Sequence, residues 1–226
     1  MTVKPPEDER LRPYYEQLEK SKRIHQVVEA MGVFALPRTV PVIVADQGKC
    51  KNDTNAYYLP KEHAILVCYA FSEAIYKGFL EKGDDDQTAS TKTLNAITFL
   101  LIHEMGHALI QELEIGVTGK EEDAVDELSA LILIQAKKAE WAITGPQAMM
   151  NITQKQEAGR SQYFDEHSLS EQRFADIACM VFGSDPENHP EIAKIPELRN
   201  RLEKCEGFFK QKDAAWTKLL EPHYRK

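Results

Sequence analysis

The sequence predicts an α+β protein: a small, mainly antiparallel sheet packed on one long helix, followed by a mostly helical C-terminal half. Three observations carry this. Short β-rich runs occur only between Val40 and Tyr69. From Leu94 onward apolar residues recur at spacings of three and four, the period of a helix face. The later turns are marked by glycine, proline and capping residues rather than by strand-forming runs. The 226 residues suit a single domain, read as a loose arm over 1–12, a sheet with the site helix over 13–115, and a helical part over 116–226.

Tyr14 to Met31 reads as one amphipathic helix ended by Gly32. Val40 to Ala45, Asn55 to Leu59 and Ala64 to Tyr69 read as strands, with Pro60 to His63 turning between the last two. Phe71 to Glu81 is helical in pattern, and Gly83 to Asp86 reads as a solvated acidic loop. A buried helix runs from Thr93 to about Leu113, since Leu94, Ile97, Leu101, Met105 and Ala108 share a face. After a turn at Gly116 to Gly119, Thr118 and Glu121 form a T-x-x-E capping box that starts a second helix. That helix is expected to reach Trp141 and to stop at Gly145-Pro146. Ser168 and Glu171 make another box, for a helix ending at Gly183, and a last helix spans Pro196 to Leu220.

The net charge of −8 disfavours nucleic acid as a partner, because no basic stripe is present to neutralise phosphates. Membrane insertion is not expected either: the apolar stretch Ala96 to Ile110 is interrupted by His103, Glu104 and His107. The four cysteines form no CxxC pair, which argues against a cysteine zinc knuckle. Cys50 with Cys68 and Cys179 with Cys205 are the disulfide pairings the predicted elements permit. Disulfides in turn favour a periplasmic or secreted protein over a cytoplasmic one.

The chemistry concentrates in His103-Glu104-Met105-Gly106-His107. Histidines four apart on a helix place both imidazoles on one face, one turn apart, where they can share a zinc ion. Glu104, beside the first histidine, is placed to act on a water at the ion without taking a coordination position. Gly106 removes a side chain beside the metal face. A catalytic zinc needs a third protein ligand, and Gln111 to Ile115 contains no histidine. Glu122 and Asp126 on the next helix share a face. The first helix extends about 9 Å beyond His107 and the chain then returns antiparallel, so Glu122 can face the histidines. Asp126 can then accept from the remaining N–H of His103. Asp123 competes with Glu122 for the ligand role, whereas Glu121 and Glu127 read as solvated first-turn acids.

H-E-x-x-H followed by E-x-x-x-D resembles the gluzincins, the thermolysin-like zinc metallopeptidases of zincin-like fold. The resemblance implies that His103, His107 and Glu122 hold Zn2+, that Glu104 is the general base, and that Asp126 orients His103. Asn55-Ala56-Tyr57-Tyr58 is similar to the edge strand on which such enzymes bind a peptide substrate, so Asn55, Ala56 and Tyr57 are substrate-binding candidates. More closely, HEMGHALI, VTGKEEDAVDELSALIL, DEHSLSEQRF and CMVFGSDPE resemble a family of bacterial metallopeptidases.

For the oxyanion that peptide hydrolysis generates, His167 is the candidate donor, with Tyr163 and Arg173 behind it. His25, His63, His189 and His223 read as surface residues. The expected function is therefore zinc-dependent hydrolysis of a peptide or protein substrate. The rival readings are a metal-containing binding or regulatory module without catalysis, and a zinc hydrolase of a non-peptide amide.

Overall fold

A computed structural model describes residues 2–51, 53–153 and 168–225. It has the α+β architecture expected, with a four-stranded sheet in the first third and helices after it. The strands are β1 (Thr2–Val3), β2 (Val42–Ala45), β3 (Ala56–Leu59) and β4 (Ala64–Cys68), in the order β1-β2-β4-β3. The sheet is mixed rather than mainly antiparallel: β1 pairs β2 and β2 pairs β4 in parallel, and only β3 and β4 form an antiparallel hairpin. Thr2 and Val3 of the N-terminal arm thus extend the sheet, in register with Ile43 and Val44.

Alternation along the strands divides the sheet into two faces. Val42, Val44, Ala56, Ile65 and Val67 enter the main core, while Ile43, Ala45, Tyr57, Leu59, Leu66 and Cys68 gather around the Cys50–Cys68 disulfide on the other face. A second disulfide joins Cys179 to Cys205, so both expected pairings form.

The helices are α1 (Arg12–Ser21), α2 (Arg23–Met31), α3 (Tyr69–Glu81), α4 (Asp86–Glu112), α5 (Glu121–Gln135), α6 (Ala139–Thr153), α7 (Ser170–Ser184) and α8 (Leu202–Leu220). Several depart from the sequence expectation for local reasons. The first helix is two, because Lys22 is left-handed at φ 57°. α4 starts seven residues early, since Asp85 caps it by accepting from the Thr88 N–H at 2.7 Å. The acidic segment is largely exposed as expected, but its acids have partners: Asp84 holds Lys92 at 2.8 Å and Asp86 accepts from the Tyr76 hydroxyl.

Gly145 and Pro146 lie inside α6, and the break falls earlier, at left-handed Lys137. A Cβ at Gly145 would stand 2.2 Å from the Phe99 ring, so this glycine lets α6 close on α4. Neither capping box forms. α5 opens after Lys120 with no side-chain cap, and α7 opens after Leu169, whose N–H donates to Gln172 at 3.3 Å. Pro196–Leu198 is a separate 3-10 turn rather than the start of the last helix.

α4 is the axis of the molecule, in contact with α3, α5, α6 and the β3–β4 hairpin. It is long and apolar enough to cross a membrane, but 89% of its most apolar 18-residue window is buried inside this fold. Its burial explains why apolar residues between Ala96 and Ile110 are not confined to one face: neighbours surround it on nearly every side.

Candidate metal centre

Three side chains converge where α4 and the start of α5 face each other. His103 Nε2 lies 3.3 Å from His107 Nε2 and 3.1 Å from Glu122 Oε2, and His107 Nε2 lies 3.4 Å from Glu122 Oε1. One ligand atom from each of the three falls within 4.8 Å of the others, a donor set that can hold a metal ion. Their positions follow from the backbone. The histidines share a helix face one turn apart, and eight residues between α4 and α5 bring Glu122 back opposite them.

Gly106 makes this approach possible, though not as expected. It does not clear the metal face. A Cβ there would stand 2.9 Å from both Cβ and Cγ1 of Val125, so the glycine allows α5 to seat against α4. Val125 is itself flanked by the acids that serve the site, so the depth of that seating sets where Glu122 and Asp126 stand.

Asp126 is placed as the spacing predicted. Its Oδ1 accepts from His103 Nδ1 at 2.8 Å, which directs Nε2 of that ring toward Glu122 and His107. Arg173 on α7 closes the other side of this carboxylate, at 2.5 Å through Nε and 2.8 Å through its terminal nitrogen. Arg173 is thus the counter-ion of Asp126. Burial alone would push the Asp126 carboxyl up, but the Arg173 guanidinium and the His103 bond outweigh it and hold it well below the usual carboxylate range. Burial likewise disfavours charge on His103, yet its bonds to Asp126 and Glu122 prevail and raise its pKa to about 9 with no ion present. For His107, too, burial is overcome, chiefly by Glu122, and the pKa is raised.

The remaining acids find separate partners. Glu121 is not simply solvated: its carboxylate takes His107 Nδ1 at 2.7 Å, doing for the second histidine what Asp126 does for the first. No sequence signal distinguished it, because an acid in a first helical turn is already favoured by the helix dipole. Asp123, the rival ligand, accepts from the Ser168 hydroxyl at 2.9 Å and stays out of the cluster. Glu127 pairs with Lys212 at 2.7 Å. His167 and Tyr163 lie outside the described residues.

Glu104 is 9% exposed, shares the cleft with the ligand cluster, and its Oε2 accepts from the Tyr58 N–H at 2.6 Å. Tyr58 belongs to β3, the sheet's edge strand beyond β4. Cys68 donates to the Asn55 carbonyl, so Asn55, Tyr57 and Leu59 turn their backbone groups to β4 while those of Ala56 and Tyr58 point to the open edge. A cleft of about 700 Å³ runs along this edge. Asn55, Ala56, Tyr57 and Tyr58 line one side, and His103, Glu104, His107, Gln111 and Glu122 the other. All three candidate substrate-binding residues therefore reach the same cleft as the metal cluster.

A protein-family model, DUF4344, described as "Putative metallopeptidase", matches residues 3–220. The chain belongs to this family. Membership assigns it to metal-dependent peptidases, which bind a metal ion and act on peptides or proteins. No curated protein and no solved structure matches the chain.

Proposed function

We propose that this member of the family is a zinc peptidase in which His103, His107 and Glu122 hold the ion and Glu104 is the general base. The observation that carries the reading is the spacing of the two histidine nitrogens and the carboxylate that faces them. Zinc with bonds of about 2.0–2.1 Å in tetrahedral geometry needs ligand atoms about 3.3–3.4 Å apart. Here the two Nε2 atoms stand 3.3 Å apart, and Glu122 brings Oε2 to 3.1 Å from His103 and Oε1 to 3.4 Å from His107, so its carboxylate faces both histidines. Among the described residues no fourth protein group joins the three, which supports a catalytic rather than a structural site.

Bound zinc supplies a Lewis acid that acidifies water and polarises a carbonyl. Asp126 and Glu121 fix the two imidazoles so that each presents Nε2. Glu104 takes the proton of the attacking water and returns it to the leaving amine. The outward backbone groups of Ala56 and the outward carbonyl of Tyr58 receive the substrate as an added strand, with Asn55 and Tyr57 beside it. That open edge favours peptides over a compact amide. We further propose His167 as the donor to the developing oxyanion, on its place in the sequence, and an oxidising compartment for the protein, since both cysteine pairs are bridged.

Zinc content and cleavage of a peptide library test this together. Glu104→Gln is expected to keep stoichiometric zinc and to lose at least about a thousandfold in kcat/KM. An active Glu104→Gln protein, or a Glu122→Ala protein with full zinc, would remove these residues from their roles.

A further inference from the structure

We propose that Glu112 is a positioning residue: with Arg38 and His63 it sets where the substrate-binding edge of β3 stands relative to the metal centre. The inference rests on the peptidase reading above and adds a residue to it.

Glu112 closes α4, eight residues after Glu104, or about 12 Å along the helix. Both carboxylates hold the same residue of β3. Glu104 accepts the Tyr58 backbone N–H at 2.6 Å, and Glu112 accepts the Tyr58 hydroxyl at 2.7 Å. The strand is therefore pinned to α4 at two points. Near the metal the grip is on the backbone; at the far end it is on the side chain.

The far grip is itself braced. The Glu112 side chain is only 2% exposed, and it also takes His63 Nδ1 at 2.5 Å and Arg38 Nε at 3.0 Å. Arg38 reaches the other nitrogen of the same imidazole at 2.9 Å. His63 is in the β3–β4 turn with φ 49°, a left-handed conformation that a histidine rarely adopts. One buried carboxylate thus seizes the hairpin on its edge strand and at its turn, while Arg38 ties both to the segment leading into β2. Ion pairs of this kind add little net stability compared with apolar packing, and their best-attested service is to fix one register among alternatives. Here the register concerns the strand on which peptide is expected to pair. Glu112 touches neither the ion's ligands nor the cleft, so its effect on catalysis passes through Tyr58.

Loss of this grip lets the strand drift from α4, which weakens substrate pairing more than the chemistry once substrate is bound. In the zinc-loaded protein, Glu112→Ala is expected to raise KM about tenfold or more with kcat within about threefold and zinc unchanged. Tyr58→Phe, which deletes a single hydroxyl, should move KM in the same direction, and Glu112→Gln, which still accepts from that hydroxyl, should recover part of the loss. A second readout needs neither zinc nor turnover. Amide hydrogen exchange at Tyr58 in the metal-free protein should quicken in Glu112→Ala and in Tyr58→Phe, with Val125 on α5 unchanged.

Wild-type KM together with wild-type protection of Tyr58 in these variants overturns the proposal. Should Glu112→Ala fail to fold, Tyr58→Phe alone decides. A wild-type protein that cleaves no peptide sinks the peptidase reading, and the exchange result then still judges whether Glu112 holds the strand.

Discussion

Gly106→Ala adds one methyl group at the tightest contact in the site. The new Cβ would stand 2.9 Å from Val125 Cβ and Cγ1, where ordinary contacts lie at 3.4–4 Å. α5 must therefore withdraw by about half an ångström or more, because neither atom is the end of a flexible chain. Overpacking of this kind costs about 1–3 kcal/mol, which in a domain of this size lowers Tm by about 2–12 °C. The withdrawal also carries Glu122 and Asp126 away from the histidines, lengthening approaches of Glu122 that are now 3.1 Å to His103 and 3.4 Å to His107. Zinc affinity should fall about tenfold or more, within the range seen when groups supporting a ligand are displaced. Competition with a chromophoric chelator reads the affinity and calorimetry reads Tm. A variant within about 1 °C and twofold of wild type in both would refute the account of why residue 106 is glycine.

Arg173→Met leaves the buried carboxylate of Asp126 without its counter-ion and should destabilise the metal-free protein by about 3–5 kcal/mol in urea titrations. Replacing Cys179 and Cys205 by alanine opens a 26-residue loop and should cost about 3 kcal/mol, with zinc content unchanged; a similar loss of zinc and stability would place that disulfide closer to the site than it stands. Glu112 gives a signature at low pH. Burial raises its pKa, but bonds from Tyr58 and His63 and the charges of His63 and Arg38 more than offset this, so the folded value lies below that of a free glutamate. A depressed acid stabilises above its unfolded pKa, and that contribution disappears as pH falls through the folded value. Glu112→Gln should therefore flatten the stability profile on the acid side of about pH 4.5, measured as urea midpoint against pH, and an unchanged slope there would count against the assignment.

The metal cluster was legible in sequence because its geometry is nearly local. His103 and His107 are related by one helical turn, and Glu122 and Asp126 by the short return to the next helix. The gripping network around Glu112 was not legible, for the opposite reason. Tyr58 and His63 lie 54 and 49 residues from it, and no periodicity links residues that meet only in the folded protein. His63 accordingly read as a surface residue.

The sheet shows the same division. The β3–β4 hairpin followed from turn residues between two strands, whereas the parallel pairings of β2 depend on segments distant in sequence. Gly145-Pro146 misled because local propensity counts a glycine and a proline as a stop, while the packed helix uses the bare Cα to admit Phe99. Glu121 reads as a solvated first-turn acid because two explanations, the helix dipole and a histidine partner, predict the same residue type at the same place.

The α4–α5 pair has a consequence for the order in which the molecule acquires its parts. The bond between His103 and Glu122 spans only 19 residues of chain, whereas the one between Glu104 and Tyr58 spans 46. Closing a loop costs entropy that grows with its length, and contacts of short range form faster. The helical hairpin can thus gather its ligands before the sheet has docked, and an ion captured at that stage would template the hairpin while the chain is still folding. The β3 edge depends on contacts of longer range, 46 and 54 residues to Glu104 and Glu112, and docks later. Partial unfolding from the N-terminal side would run this sequence backwards, disarming the cleft while the ion stays in place.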